Sequence, residues 1–345
     1  MKKIGLRIFI VFISLIVIVV MGLLVNHAIF EYQYSQMNTR AENLSETEIR
    51  QVKSVYDYLL THGTDIYPGF DGESIDLIIY NDAYEFLICD STDAKEWTFF
   101  EYSDVLGKNV YRRTAVDPQA FAVYTADRWV GSMATQNSFN RSIFHTMTEQ
   151  VGVLGYLIPP QIFSADAAFW KGTVIHEMLH AYQAQRNEDR VEADNAIHDV
   201  CGTYYEDDLF ESLIQTEGAY LQKALDADSK EDILRYVSLF LDTRTTRRSE
   251  CLLTPAEIRD EREFEWLEGM ARYAEYQSSK DSQSIIRSSL DNIAEKVKTQ
   301  SDDRYYSMGF AAGLILDKLG VDWKSIAFTD DFVFEDALEQ AVAEG

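Results

Sequence analysis

Cysteine and basic residues are both scarce in this chain of 345 residues, and each scarcity excludes a class of protein. The three cysteines, Cys89, Cys201 and Cys251, are too few for a disulfide scaffold, and their spacing does not resemble a zinc knuckle. One bridge between Cys201 and Cys251 stays open if the chain folds outside the cytoplasm. Lys and Arg number 31 against 57 Asp and Glu, for a net charge of −26. We therefore expect no nucleic-acid partner, because neutralising phosphates requires clustered cations.

The long apolar run of the sequence lies near the N-terminus. It follows three cationic residues and extends from Ile8 to Val25, which is long enough to cross a bilayer. The run exceeds the apolar core of a signal peptide, roughly 7 to 15 residues, and no clear cleavage site follows it. We therefore predict an uncleaved, single-pass membrane anchor over residues 1–30, with residues 31–345 outside the cytoplasm. A cleaved signal peptide, which would give a secreted protein, is the alternative.

The pattern of the chain changes twice after the anchor. Residues 31–64 contain a capping box, Ser45 with Glu48, followed by apolar residues at helical spacing, which predicts a juxtamembrane helix. Residues 65–165 are rich in short β-type runs, which predict a small, mostly antiparallel sheet. The runs are IDLIIY, YEFLIC, EWTFFEY, FAVYTADRWVGSMA and VGVLGYLIP.

Residues 166–345 carry helical patterns almost throughout. The predicted helices cover residues 172–186, 208–226, 230–247, 255–278, 282–299, 303–319 and 333–343. No internal repeat or low-complexity linker interrupts the chain after the anchor. We therefore expect one α+β domain over residues 65–345, in which a small sheet is followed by a largely helical half.

The strongest chemical signal is TVIHEMLHAYQ, residues 173–183, in a chain with only 6 histidines. On a helix, His176 and His180 lie one turn apart on the same face, so both imidazoles can bind one zinc ion. Glu177 lies beside them and can act as general base toward a zinc-bound water. The flanking residues are uncharged, which indicates a buried helix whose His and Glu side chains need partners. The motif therefore favours a zinc site over an ordinary helix that contains two histidines.

A third protein ligand has to come from another segment. In EFEWLEGMARYAEY, residues 263–276, Glu268 lies at the edge of an apolar stripe between small residues. A carboxylate in such a place is costly to bury unless it is paired or ligated. Glu217, which also precedes Gly and Ala in QTEGAYLQKAL, is an alternative ligand, and Asp207 and Asp208 are further ones.

The two segments together resemble the gluzincin metallopeptidases, in which two His of one helix and a Glu of a later helix hold zinc. More narrowly, the chain is similar to uncharacterised peptidases with an EGxAxYxE second motif, here EGMARYAEY. An Arg-x-x-Arg helix, here RTTR, and a late helix, here YYSMGFAAGLILDKLGVDWK, add to the likeness over about residues 170–325. The resemblance implies a zincin-like helical half in which His176, His180 and Glu268 bind Zn²⁺ and Glu177 is the catalytic base.

These features predict a membrane-anchored, extracytoplasmic zinc metallopeptidase that hydrolyses peptide or protein substrates by Glu177-assisted attack of zinc-bound water. A catalytically silent, zinc-stabilised binding module and a zinc hydrolase of a nonpeptide amide are the alternatives. The group that stabilises the oxyanion is left open among five side chains. They are Tyr273, Tyr305, Tyr306, His198 and His145.

Nearby arginines are expected to serve structural roles. Arg272, four residues after Glu268, is a candidate to hold the ligand carboxylate in place. Arg244, Arg247 and Arg248 are expected to pair with Asp and Glu side chains, because the chain is so acidic.

Overall fold

A computed structural model describes residues 2–36, 39–194, 196–197 and 199–345. The first two elements of the chain are long helices. Helix α1 covers Lys2–Gln36, and its segment Phe9–Ser35 is long and apolar enough to cross a membrane. Helix α2 covers Glu46–Ile66 and begins with the predicted capping box, in which Ser45 and Glu48 satisfy each other's backbone amides. A helix with the predicted capping box is therefore present after the apolar segment.

The middle of the chain forms a mostly antiparallel sheet, as predicted. Its strands are β1 (Leu77–Tyr80), β2 (Tyr84–Cys89), β3 (Thr98–Ser103), β4 (Lys108–Thr114), β5 (Phe121–Thr125) and β6 (Arg128–Ala134). The strand order is β3-β4-β2-β1-β6-β5, and only the β1–β6 pair is parallel within the described sheet. Strand β5 is therefore an edge strand, joined to β6 by a tight two-residue turn.

The prediction of a strand in VGVLGYLIP is wrong. Helix α3 covers Gln136–Val151, and the chain continues directly into a 3₁₀ helix over Gly152–Leu157. A second 3₁₀ helix covers Pro160–Phe163. Pro159 and Pro160 have no N–H to donate to a strand ladder, so no strand could continue beyond the end of the run.

The rest of the chain is helical. The helices are α4 (Ala167–Arg186), α5 (Glu188–Asp194), α6 (Asp208–Asp226), α7 (Lys230–Glu250), α8 (Pro255–Ser278), α9 (Ile285–Ser289), α10 (Ile293–Lys296), α11 (Asp303–Leu319) and α12 (Phe334–Glu344). The bounds predicted for α6, α8 and α11 are confirmed. The helix predicted over 282–299 is instead two short helices, because the side chains of Ser284 and Asn292 each cap a new start.

Helix α4 lies at the centre of the domain, between the sheet and α8. Gly131 on β6 permits this approach, since a Cβ there would lie 2.9 Å from the Cα of Met178 on α4. Helix α8 is in turn in backbone contact with α11, where a Cβ on Gly269 would lie 2.6 Å from the Cα of Gly309. One hydrophobic core includes residues of both the sheet and the helices. These close contacts fix the position of α8 relative to α4.

Candidate metal centre

The two histidines of α4 are buried on the face that meets α8. His176 is 7% exposed and His180 is 1% exposed. Helix α4 begins five residues before the predicted start at 172, with the Asp166 side chain as N-cap accepting from the backbone N–H of Phe169. Because α4 is buried between the sheet and α8, its polar side chains have to find partners inside the protein.

Glu268 on α8 is the side chain that meets both histidines. Its Oε2 atom lies 3.3 Å from Nε2 of His176 and 3.4 Å from Nε2 of His180. The ligand atoms of the three residues all lie within 4.8 Å of one another, and all three residues are buried. This buried group can hold a metal ion.

The two distances from Glu268 to the histidines are those expected between neighbouring ligands of a tetrahedral ion. Two ligand atoms at 2.0–2.1 Å from zinc and at the tetrahedral angle are about 3.3 Å apart. The Nε2 atom of His180 is buried and has no hydrogen-bond partner among the described residues, although Glu268 is nearby. A buried polar atom without a partner is costly, and a cation between the nitrogen and the carboxylate would satisfy it.

Both imidazoles are oriented through their other nitrogen. Nδ1 of His180 lies 3.0 Å from Oε1 of Gln183, while Nε2 of Gln183 donates to the carbonyl of Leu267 at 3.1 Å. Because the amide nitrogen of Gln183 donates to this carbonyl, its oxygen faces His180 and accepts from Nδ1. The proton of the neutral imidazole is then on Nδ1, and Nε2 keeps its lone pair for a metal. Nδ1 of His176 lies 3.3 Å from Oε2 of Glu275, which is within ion-pair distance, although it makes no hydrogen bond to a described residue. Helix α8 therefore provides both the carboxylate ligand and the group that orients His176.

The sequence predicts that Arg272 holds the Glu268 carboxylate, and this prediction is wrong. The Nη1 atom of Arg272 pairs with Oε2 of Glu275 at 3.2 Å, so it acts on the centre through the residue that orients His176. Glu275 lies seven residues after Glu268, on the same face of α8. Gln183 likewise lies three residues after His180 on α4. Helical spacing is thus the signal that could have found both residues from the sequence.

The alternative ligands lie elsewhere. Glu217 is fully buried and binds Arg244 and Arg247, with Oε1 2.5 Å from Nε of Arg247. Asp207 caps α6 by accepting from two backbone amides, and Asp208 is exposed at the start of that helix. Neither Glu217 nor the aspartates join the histidines.

Glu217 belongs to a buried ion cluster that connects α8 with α6, α7 and α12. The prediction that the three arginines of α7 pair with acidic side chains is confirmed. The cluster consists of Arg244, Arg247, Arg248, Glu217, Glu261, Glu265 and Glu335. Cys201 lies against it, with Sγ 3.6 Å from Oε1 of Glu261. Cys201 and Cys251 are both free thiols, so the structure does not contain the bridge that the sequence left open.

Glu177 lines a cleft of about 320 Å³ together with His176. Burial raises the pKa of the Glu177 carboxyl. The two histidines of the motif act to lower this pKa, while Glu268 and Glu275 raise it further. The carboxylate is half-buried and can therefore reach a molecule in the cleft.

The electrostatics of the group favour a cation. Burial lowers the pKa of His176, but Glu268 and Glu275 outweigh this effect and raise it to about 10. Burial raises the pKa of Glu268, but the two histidines outweigh that and hold it well below its usual range. The buried carboxylates thus require positive charge beside them, which protons or a metal ion can provide.

Among the candidates for oxyanion stabilisation, Tyr306 on α11 lies beside His176 and Glu268. Its ring is stacked 6.2 Å from that of His176, and it lines the clefts on both sides of the group. Tyr273 instead bonds Asp317, and Tyr305 is buried against Glu261. His145 is exposed on α3, and His198 lies outside the described residues.

No protein-family model matches the chain, and the comparisons with curated proteins and with solved structures give no match either. The class of site that the geometry defines is a buried two-histidine, one-carboxylate group able to hold a metal ion. A carboxylate that is not part of this group, Glu177, stands in the adjoining cleft.

Proposed function

We propose that this chain is a membrane-anchored, extracytoplasmic zinc metallopeptidase whose helical half is zincin-like. The observation that carries the proposal is the convergence of His176, His180 and Glu268 beside Glu177. Two imidazole nitrogens and one carboxylate oxygen are a donor set typical of catalytic zinc, which keeps a further position open. Zinc bound there supplies a Lewis acid that polarises a carbonyl and lowers the pKa of water.

We assign proton transfer to Glu177. Because burial raises its pKa, its carboxylate is a stronger base than an ordinary glutamate. It takes a proton from the water that attacks the peptide carbonyl and delivers that proton to the leaving amine nitrogen. Its half-buried position in the cleft supports both transfers, since the carboxylate has to face the substrate.

Tyr306 is the side chain best placed to stabilise the oxyanion. Burial, with Glu268 adding to it, raises the pKa of its hydroxyl far above the ordinary value, so the phenol stays protonated. A neutral hydroxyl that lines both clefts beside His176 can donate a hydrogen bond to the oxygen on which negative charge develops.

The free edge of β5 offers a place for a peptide backbone. The ring of Phe121 on β5 lies 4.5 Å from that of His180, so this edge is next to the centre. The two-residue turn makes Thr125 and Arg128 a hydrogen-bonded pair, and such pairs alternate along an antiparallel ladder. The main-chain groups of Ala122 and Tyr124 therefore point away from β6 and can bind an extended substrate.

Metal content and peptide hydrolysis, measured on the purified full-length protein, test this function. We expect the wild type to hold stoichiometric zinc and Glu268→Gln to lose it. Glu177→Gln should keep the metal while hydrolysis falls by roughly 10²–10⁴-fold, because only the base is removed. Glu192→Gln, an exposed carboxylate on α5, is the matched control and should change neither quantity.

Two results would overturn the proposal. The first is a wild type that takes up no zinc when it is supplied. The second is a Glu177→Gln variant that hydrolyses peptides as fast as the wild type. Zinc binding without hydrolysis in the wild type would indicate the silent binding module instead.

A further inference from the structure

Helix α1 is held by the elements that follow the sheet. His27, just after the apolar run, is buried between the rings of Phe144 and Tyr156, at 5.0 Å and 4.5 Å between centroids. Asn26 exchanges side-chain amide hydrogen bonds with Gln161, at 3.2 Å and 3.3 Å. Helix α3 and the two 3₁₀ helices therefore pack on the part of α1 that would leave a membrane.

The two 3₁₀ helices lie in a part of the chain without charged residues. Residues 150–165 contain no Asp, Glu, Lys or Arg, and no longer charge-free run follows the anchor in a chain of net charge −26. Helix α9 packs against the second 3₁₀ helix and extends this surface, with Ile285 55% exposed and Tyr156 42% exposed. We call this surface the neutral face. It consists of Tyr156, Leu157, Ile158, Ile162 and Ile285.

The position and composition of the neutral face fit a lipid surface. Elements packed on the exit segment of a membrane-spanning helix lie at the level of the lipid headgroups. An apolar, charge-free surface gains free energy by contact with that layer, and tyrosine is favoured there. Acidic surface elsewhere on the domain is repelled by anionic lipids, so the neutral face is the surface that can approach them.

The same elements line the cleft of the metal centre. Phe139 and Ile143 on α3 border the cleft that contains His176 and Glu177, and so does Ile286, the neighbour of Ile285. Helix α3 thus has one face on the cleft and another on α1. Because a helix with its side chains is about 10–12 Å wide, the cleft lies about one helix diameter from the membrane exit.

We propose that the neutral face rests on the lipid surface and holds the cleft beside it, so that the substrates are peptide segments of chains tethered to the same membrane. The substrate class rests on the proposed peptidase function. The membrane contact rests on α1 as a membrane anchor and does not require catalysis.

Fluorescence quenching by lipid tests the contact. An environment-sensitive fluorophore is attached at Ile285→Cys in the full-length protein, in phosphatidylcholine vesicles that contain nitroxide-labelled lipid. Leu252→Cys, 80% exposed after α7, is the matched control position. All variants carry Cys251→Ser, because Cys89 and Cys201 are buried and Cys251 is partly exposed. The label at position 285 should lose most of its fluorescence while the label at 252 keeps it, and equal quenching at both positions would overturn the contact.

Cleavage of tethered and free peptides tests the substrate class. The probe is a mixed-sequence fluorogenic peptide library, either free or coupled to a lipid in the same vesicles. The wild type should cleave the tethered library at least about tenfold faster, because tethering raises the effective concentration. Tyr156→Glu with Ile285→Glu should reduce cleavage of the tethered library only, and Leu252→Glu should reduce neither.

The outcomes separate the two proposals. Equal cleavage of tethered and free library by the wild type would overturn the substrate class while the peptidase function stands. No cleavage of either library would overturn the peptidase function and the substrate class with it, and the quenching measurement would still decide the membrane contact.

Discussion

Replacing Gln183 with leucine should weaken zinc binding without removing a metal ligand. Leucine has a similar size, but it can neither accept from Nδ1 of His180 nor donate to the carbonyl of Leu267. The imidazole then loses the contact that keeps the proton on Nδ1, and a proton on Nε2 would block the nitrogen that faces Glu268. The variant thus tests whether Nε2 of His180 binds the metal.

The expected size of the effect follows from these contacts. Losing a group that orients a metal-binding histidine commonly costs about 10–100-fold in metal affinity. At about 1.4 kcal/mol for each tenfold change, this equals about 1.4–2.8 kcal/mol. Nδ1 of His180, which is buried, is left without its acceptor, and a buried polar group without a partner costs roughly 1–3 kcal/mol of stability. Gln183→Leu should therefore also unfold at lower denaturant concentration than the wild type.

Competition with a chromogenic chelator of known zinc affinity measures the first effect, and circular dichroism verifies that the variant is folded. Gln185→Leu is the control, because Gln185 lies on the exposed side of α4 and donates only to the carbonyl of Ser74. We expect its zinc affinity to equal that of the wild type. A folded Gln183→Leu variant whose zinc affinity stays within about twofold of the wild type would refute the assignment of Nε2 as the ligand atom.

Two further predictions concern the buried ion cluster. Arg247→Met should lower the free energy of unfolding by about 3–5 kcal/mol in urea titrations, because it removes one of the two arginines that pair with each of the buried Glu217 and Glu261. A loss no larger than that of the exposed control Arg235→Met would contradict this. Burial raises the pKa of Glu261 and of Glu335, but the arginines outweigh it and lower both to about 2, against an ordinary 4.5. The contribution of these two ion pairs to stability is therefore complete above about pH 4.5 and is lost as the pH falls toward 2. The melting temperature should fall between pH 5 and pH 3. A constant melting temperature over this range would show that the pairing adds no stability.

The sequence alone predicts the helix that carries the two histidines, but it does not specify which distant carboxylate packs against them. Helical spacing alone places His176 and His180 on one face, and the capping box at Thr254 and Glu257 fixes the start of α8. From the sequence, the partner of the histidines is ambiguous, because Glu217 and Glu268 both precede a glycine. Only the packing of α6 and α8 shows that Glu217 meets arginines while Glu268 meets imidazoles.

The errors in the sheet have related causes. Strand β4, KNVYRRT, is not among the strands that the sequence predicts, and three of its seven residues are basic. In the structure Arg112 and Arg113 lie over the rings of Phe100 and Trp97, at 4.6 Å and 4.1 Å. The run 151–159 is apolar and was therefore predicted as a strand, but composition does not specify whether a partner edge exists. Both cases depend on neighbours that are distant in the sequence.

The backbone contact between α8 and α11, together with the ion cluster, has a consequence for metal exchange. Glu261 and Glu265, on the two turns before Glu268, are already bound by arginines, and Gly269 is pressed against Gly309. Ion pairs and a backbone contact within the protein thus position the Glu268 carboxylate beside the histidines. We therefore expect a metal bound at this group to be removable by a chelator while the domain stays folded, unlike small modules that unfold without their metal.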